Sequence, residues 1–160
     1  MQFRNLRAEE LEGSVDLPGF QEWLRSIGAT DTRVLIVAPP GTGKAAAVGW
    51  LAHRLDRKVI LCDLTELLEY EDPVRQLDNL LRICQAQRNT VVYLDKLDRA
   101  LVAAEGAGTA GELTEHLVQW FGGAHEGMLD AECTVVCTGR EADRVPATLR
   151  SCFEKQFLAA

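Results

Sequence analysis

Four short, unbroken apolar runs punctuate the chain: Val34–Val37, Val59–Cys62, Val91–Leu94 and Thr134–Cys137. Strands without polar alternation are covered on both faces, so these runs predict a buried parallel sheet. Between them the apolar positions switch to helical spacing. A first helix is expected from Lys44, with Val48, Leu51 and Leu55 on one face. A second has Asp72 as N-cap and Pro73 at its first position, then Val74, Leu77, Leu81 and Cys84 along one stripe. A third follows the Gly/Ala-rich stretch 105–111, where Thr109-x-x-Glu112 reads as a capping box before Leu113, Leu117, Trp120 and Phe121. Phe20–Ile27 reads as a short leading helix and Phe153–Leu158 as a fifth strand. Strands alternating with helices predict a three-layer α/β/α sandwich. The chain shows no internal repeat and no linker, so residues 1–160 are expected to form one domain, with 1–30 as a lead-in segment.

Composition narrows the function classes. With 160 residues, 47% of them hydrophobic and 26% charged, the chain can bury one proper core. A net charge of −7 argues against nucleic acid and favours a nucleotide or a protein partner. Cys62, Cys84, Cys133, Cys137 and Cys152 contain no C-x-x-C pair and read as reduced thiols of an intracellular protein. His53, His116 and His125 are scattered and do not suggest a metal site. No stretch approaches the roughly 18 apolar residues that span a bilayer, and the polar start Met1-Gln2-Phe3-Arg4-Asn5 lacks signal-peptide character. The expected location is cytoplasmic, away from membranes.

The candidate chemistry lies at the start of the first predicted helix. Ala38-Pro39-Pro40-Gly41-Thr42-Gly43-Lys44-Ala45 follows the G-x-x-x-x-G-K-[ST] phosphate loop at Gly43 and Lys44 and departs from it at both ends. In that loop backbone N–H groups and the lysine hold phosphates, while the final hydroxyl ligates Mg²⁺. Residues 41–44 and the helix behind them still make an anion site, nucleotide contacts being expected from Pro40 to Ala45. The Cβ of Ala38 bears on whether the turn keeps its shape. Asp95, closing the run Val91-Val92-Tyr93-Leu94, stands where Walker-type proteins place a Mg²⁺-holding carboxylate, here a vestigial metal position.

These pieces, with Leu94-Asp95-x-x-Asp98, Thr138-Gly139-Arg140 and Val145-Pro146-x-x-Leu149-Arg150 in order, resemble the AAA+ ATPases, and among them the AAA branch. The resemblance covers about residues 15–158, the large α/β subdomain. It implies a five-stranded parallel P-loop NTPase-like sheet of order 5-1-4-3-2, ATP at a subunit interface, and ring assemblies that remodel proteins. It also exposes matched losses. Where the family has a water-polarising glutamate this chain has Lys96, which cannot act as a base while charged. Gly139 stands in the place of the sensor 1 asparagine. The arginine finger, which contributes about 10³–10⁵ in rate, aligns with Cys152, or with Arg150 on another reading. The chain ends before the family's helical lid, so either the lid is absent in nature or this is an excised piece.

The reading that follows is a degenerate, pseudo-ATPase module acting as a scaffold, regulatory or assembly subunit, with a protein partner that includes an AAA+ subunit. The ligand expected is ATP or ADP, with Mg²⁺ held weakly or not at all. Two alternatives stand beside it: a slow ATPase completed by a partner subunit, and a nucleotide-independent interaction domain. Lys96 either replaces Mg²⁺ as countercharge or pairs with Asp95 or Asp98. Tyr70, in Glu69-Tyr70-Glu71-Asp72, occupies the region of the family's pore loop and is read as a pore-loop or partner contact, against an ordinary loop tyrosine. Trp50 is a second residue considered for a partner surface.

Overall fold

Six strands form one sheet in the order β1-β3-β4-β5-β2-β6. The computed structural model describes residues 4–6, 17–122 and 133–159, and His125 lies outside them. The strands are β1 (Arg4–Leu6), β2 (Arg33–Val37), β3 (Lys58–Asp63), β4 (Thr90–Asp95), β5 (Cys133–Gly139) and β6 (Lys155–Leu158). Strands β2 to β6 pair in parallel, giving the expected order of five. A sixth strand was not anticipated: Arg4–Leu6, within the lead-in segment, pairs antiparallel with Val59–Leu61 at the outer edge of β3. A three-residue segment is too short to carry a periodic signal.

The central strands are buried along their length because both faces are covered. On one face α1 (Phe20–Arg25) and α2 (Lys44–Arg54) pack Phe20, Leu24, Val48 and Leu51 against Val34, Ile36 and Tyr93. On the other, α3 (Pro73–Gln85), α4 (Leu97–Ala107) and α5 (Ala110–Phe121) bring Leu77, Leu81, Leu97, Leu101, Leu117 and Phe121 onto Leu35, Val92 and Val135. A single-turn α6 (Ala147–Arg150) leads into β6. Among the described residues no helix is long and apolar enough to cross a membrane. No group of three or more His, Cys, Asp or Glu there is placed to hold a metal ion.

Local rules account for most boundaries. The Asp72 carboxylate caps α3 by accepting from the Arg75 amide at 3.2 Å, with Pro73 at the first helical position as expected. The Thr109 capping box does not form: Thr109 makes no side-chain cap bond and its Oγ1 is buried without a partner. The Gly/Ala-rich stretch 105–111 is shared between two helices. Its first half completes α4, which ends at Gly108 in the left-handed region (φ 76°), and Thr109 then has φ −112° and ψ 0°. Trp50 is partly buried, with the Arg54 guanidinium 5.5 Å over its ring.

Candidate functional site

The C-terminal ends of β2, β4 and β5 converge on one cavity of about 280 Å³, whose walls include Lys44 and its loop, Tyr93, Asp95, Asp98, Arg99 and Arg140. Open α/β sheets take ligands there, outside the carboxyl edge of the strands. Of the residues expected at the site, Pro40, Gly41, Gly43, Lys44, Ala45, Asp95, Lys96 and Gly139 all line this cavity. Thr42 does not; its hydroxyl donates to the Pro39 carbonyl at 2.7 Å and braces the loop from within. Cys152 and Tyr70 are also elsewhere. Cys152 Sγ donates to the Thr148 carbonyl at the end of α6. Tyr70 closes the 3₁₀ turn Leu64–Glu69, its amide donating to the Leu67 carbonyl at 3.3 Å.

The loop is built for close approach of an anion. Gly41 and Gly43 adopt φ of 79° and 94°, a region costly for any residue with a Cβ. Gly43 caps α2, so the first amides of that helix have no acceptor within it and carry its positive dipole end. Ala38 is fully buried with its amide on the Gly139 carbonyl at 3.1 Å, and it is not among the residues of positive φ. Its methyl therefore leaves the turn intact. Lys44 Nζ folds back onto the carbonyls of Ala38 and Pro39 at 2.5 and 3.2 Å. Burial pulls the Lys44 pKa below its usual value; Asp95 and Asp98 oppose that pull and the nearby Arg140 adds to it.

The acidic residues are each already engaged. Asp95 Oδ1 accepts from the Thr138 hydroxyl at 2.7 Å. Burial first, and then the neighbouring Asp95 carboxylate, push the Tyr93 phenol pKa up. Asp98 is 2% exposed, and its oxygens accept from the amides of Arg99 at 2.8 Å, Arg140 at 2.9 Å and Glu141 at 3.0 Å. It thereby ties the start of α4 to the turn leaving β5. An ideal Cβ on Gly139 would lie 3.0 Å from Asp98 Oδ1 and 3.1 Å from its Cγ. The space that a side chain at position 139 would use is filled by Asp98.

Lys96 is the turning residue between β4 and α4, at φ 64°. A non-glycine residue in that conformation costs about 1 kcal/mol or more and persists only where its surroundings hold it. What holds it is not Asp95 or Asp98, which corrects that expectation. Lys96 Nζ donates to Asp63 Oδ2 at 2.8 Å. Asp63 and Asp95 are register partners at the ends of β3 and β4, and the two neighbouring carboxylates favour a cation between the strand ends. Burial alone would raise the Asp63 pKa, but Lys96 together with the Thr65 hydroxyl and amide holds it below the usual value. Asp63, Tyr93 and Arg99 were not anticipated at the site. For Asp63 the signal was present, since two apolar runs both end in aspartate.

Residues 34–160 match the family model for the ATPase family associated with various cellular activities (AAA). The chain belongs to the AAA family. In fold this AAA chain is similar to the crystal structure of the FIGL-1 AAA domain, with a TM-score of 0.72 and 19% identity over 99% of the present chain. It is also similar to the FIGL-1 AAA domain in complex with ADP, at 0.67 and 18% over 98%. The chain spans 57% of the length of each of those two structures.

Proposed function

We propose that this AAA chain is a nucleotide-holding module that does not hydrolyse ATP efficiently and that works through protein partners as a scaffold or regulatory subunit. The observation that carries the reading is the Lys96–Asp63 ion pair at 2.8 Å, a cation directly after the strand-ending Asp95 where catalysis of hydrolysis needs a base. The phosphate half of the site fits a nucleotide: Lys44, the amides of the 41–43 loop and the α2 N-terminus supply donors and positive charge. The metal half does not fit Mg²⁺ well. Ala45 has no ligand atom, Asp95 already accepts from the Thr138 hydroxyl, and Lys96, Arg99 and Arg140 bring positive charge to the walls.

In this account bound ATP or ADP supplies negative charge that the three wall cations and Lys44 neutralise, so that affinity is largely independent of Mg²⁺. Lys44 leaves the Ala38 and Pro39 carbonyls to meet phosphate. Nothing at position 139 positions a water, because Asp98 occupies that space. The test is a titration with a fluorescent ATP analogue together with phosphate release on the same sample, using Lys44→Ala as control. Binding that Lys44→Ala abolishes, with no release above the control, supports the proposal. Release that depends on Lys44 would replace it with a true ATPase, and absence of binding with a plain interaction domain.

A further inference from the structure

A second cavity, about 450 Å³, lies beyond Arg99 and Arg140 on the far side from the phosphate loop. Its walls come from three elements, one of them the 3₁₀ turn Leu64–Glu69, which contributes Thr65. Arg99, Val102 and Ala103 rise from successive turns of α4, while Arg140, Glu141 and Arg144 come from the turn after β5. Val102 is 40% exposed, the kind of apolar contact that a merely solvated cationic face does not require.

The charge of this cavity runs against that of the molecule. The chain carries a net −7, yet three guanidiniums face one hollow. Two carboxylates adjoin them: Asp98, buried and bound by three backbone amides, and Glu141, whose Oε2 is held by Arg144 Nε at 3.4 Å. Asp143, on the same turn, is exposed but outside the lining. Among the described residues the guanidiniums of Arg99 and Arg140 have no ion-pair or hydrogen-bond partner. Arginine forks in a concave, partly apolar setting suit carboxylates presented on a peptide.

We infer that this cavity is a docking site for an acidic segment of a protein partner, its carboxylates meeting Arg99, Arg140 and Arg144 and an apolar side chain meeting Val102 and Ala103. Nucleic acid is disfavoured by the net charge, which repels a polyanion at longer range. Arg99 and Arg140 line both cavities, so a phosphate chain in the loop and a carboxylate in the hollow draw on the same two cations. Occupancy of one site therefore weakens the other, and the weakening is reciprocal. This coupling rests on the nucleotide-holding reading; the docking itself does not.

The test uses a short fluorescein-labelled peptide rich in glutamate and leucine, followed by anisotropy at about 0.15 M salt, where exposed long-range attraction is largely screened. Saturable binding is expected, with loss of about tenfold or more in affinity for Arg144→Glu, which lines only the second cavity. Val102→Glu, on the exposed face of α4, should weaken binding similarly, and either variant suffices if the other fails to fold. A peptide with lysine in place of glutamate should not bind. Equal affinity for the wild type and both variants, or no saturable binding at all, overturns the proposal. Adding ADP should then reduce peptide affinity in the wild type and leave it unchanged in Lys44→Ala. A reduction of the same size in Lys44→Ala would overturn the shared-arginine coupling while leaving docking in place.

Discussion

Restoring a side chain at position 139 should cost stability, and the structure sets how much. Gly139 lies in β5 with a backbone conformation open to L residues, so replacing it with alanine would by itself stabilise the fold by about 0.4–1 kcal/mol through the unfolded chain. Opposing this, the new Cβ would sit 3.0 Å from Asp98 Oδ1 and 3.1 Å from Cγ. Asp98 has little room to yield, because the residue is 2% exposed and its carboxylate is tied to three amides at 2.8, 2.9 and 3.0 Å. A charge-assisted hydrogen bond of this kind is worth about 1.5–3 kcal/mol, so lengthening even one should outweigh the entropic gain. Gly139→Ala is therefore expected to destabilise by about 1 kcal/mol, and Gly139→Asn by about 1–3 kcal/mol. Urea unfolding of a double-mutant cycle with Asp98→Ala isolates the cause. Asp98→Ala is costly alone, since it removes the acceptor of three backbone amides, but in that background Gly139→Ala should become neutral or stabilising. If Gly139→Ala stabilises the otherwise unchanged protein, or costs as much without Asp98, the packing argument is wrong.

Other outcomes follow from the strand-end charges and the loop. Asp63→Asn keeps a cap acceptor for Thr65 and removes the Lys96 ion pair, whose partners are 36% and 28% exposed, so a loss of only about 0.5–1 kcal/mol is expected in urea unfolding. Asp63→Ala removes the cap as well and should cost about 1 kcal/mol more. Because the folded Asp63 carboxyl titrates below its ordinary 3.8, its contribution is complete above that pH and fades as the pH falls further. The difference between the wild type and Asp63→Asn should shrink accordingly in acid unfolding. At the alkaline end, the Lys44 pKa lies below 10.5, so nucleotide affinity measured by anisotropy should begin to fall before that pH. The fall should vanish in Lys44→Arg, whose side chain stays charged.

How much of this was legible in the chain depended on the type of signal. Four of the five parallel strands were visible because burial on both faces leaves unbroken apolar runs, and α2 and α3 because their apolar spacing is regular. Helix α4 was not anticipated. Its core face reads Leu97, Asp98, Ala100, Leu101 and Ala104, and a buried aspartate with two alanines blurs the stripe that marks a helix. That same aspartate explains why Gly139 is small, a relation between residues 41 positions apart that no local pattern carries. The loop was legible in chemistry but not in geometry: the harmless placement of the Ala38 methyl and the choice of Asp63 as the partner of Lys96 both depend on the register of neighbouring strands. The misread capping box at Thr109 shows the converse, a correct motif overridden when the preceding helix extends to Ala107 and ends on Gly108.

The central claim is that cations of the chain itself replace the metal at this site. Calorimetric titration of ADP and ATP into the protein, once with excess Mg²⁺ and once with a chelator, tests it most directly. The account predicts dissociation constants that agree within about threefold, well under the 1.4 kcal/mol of a tenfold difference, together with loss of binding in Lys44→Ala under both conditions. Binding that appears only with Mg²⁺ would contradict it.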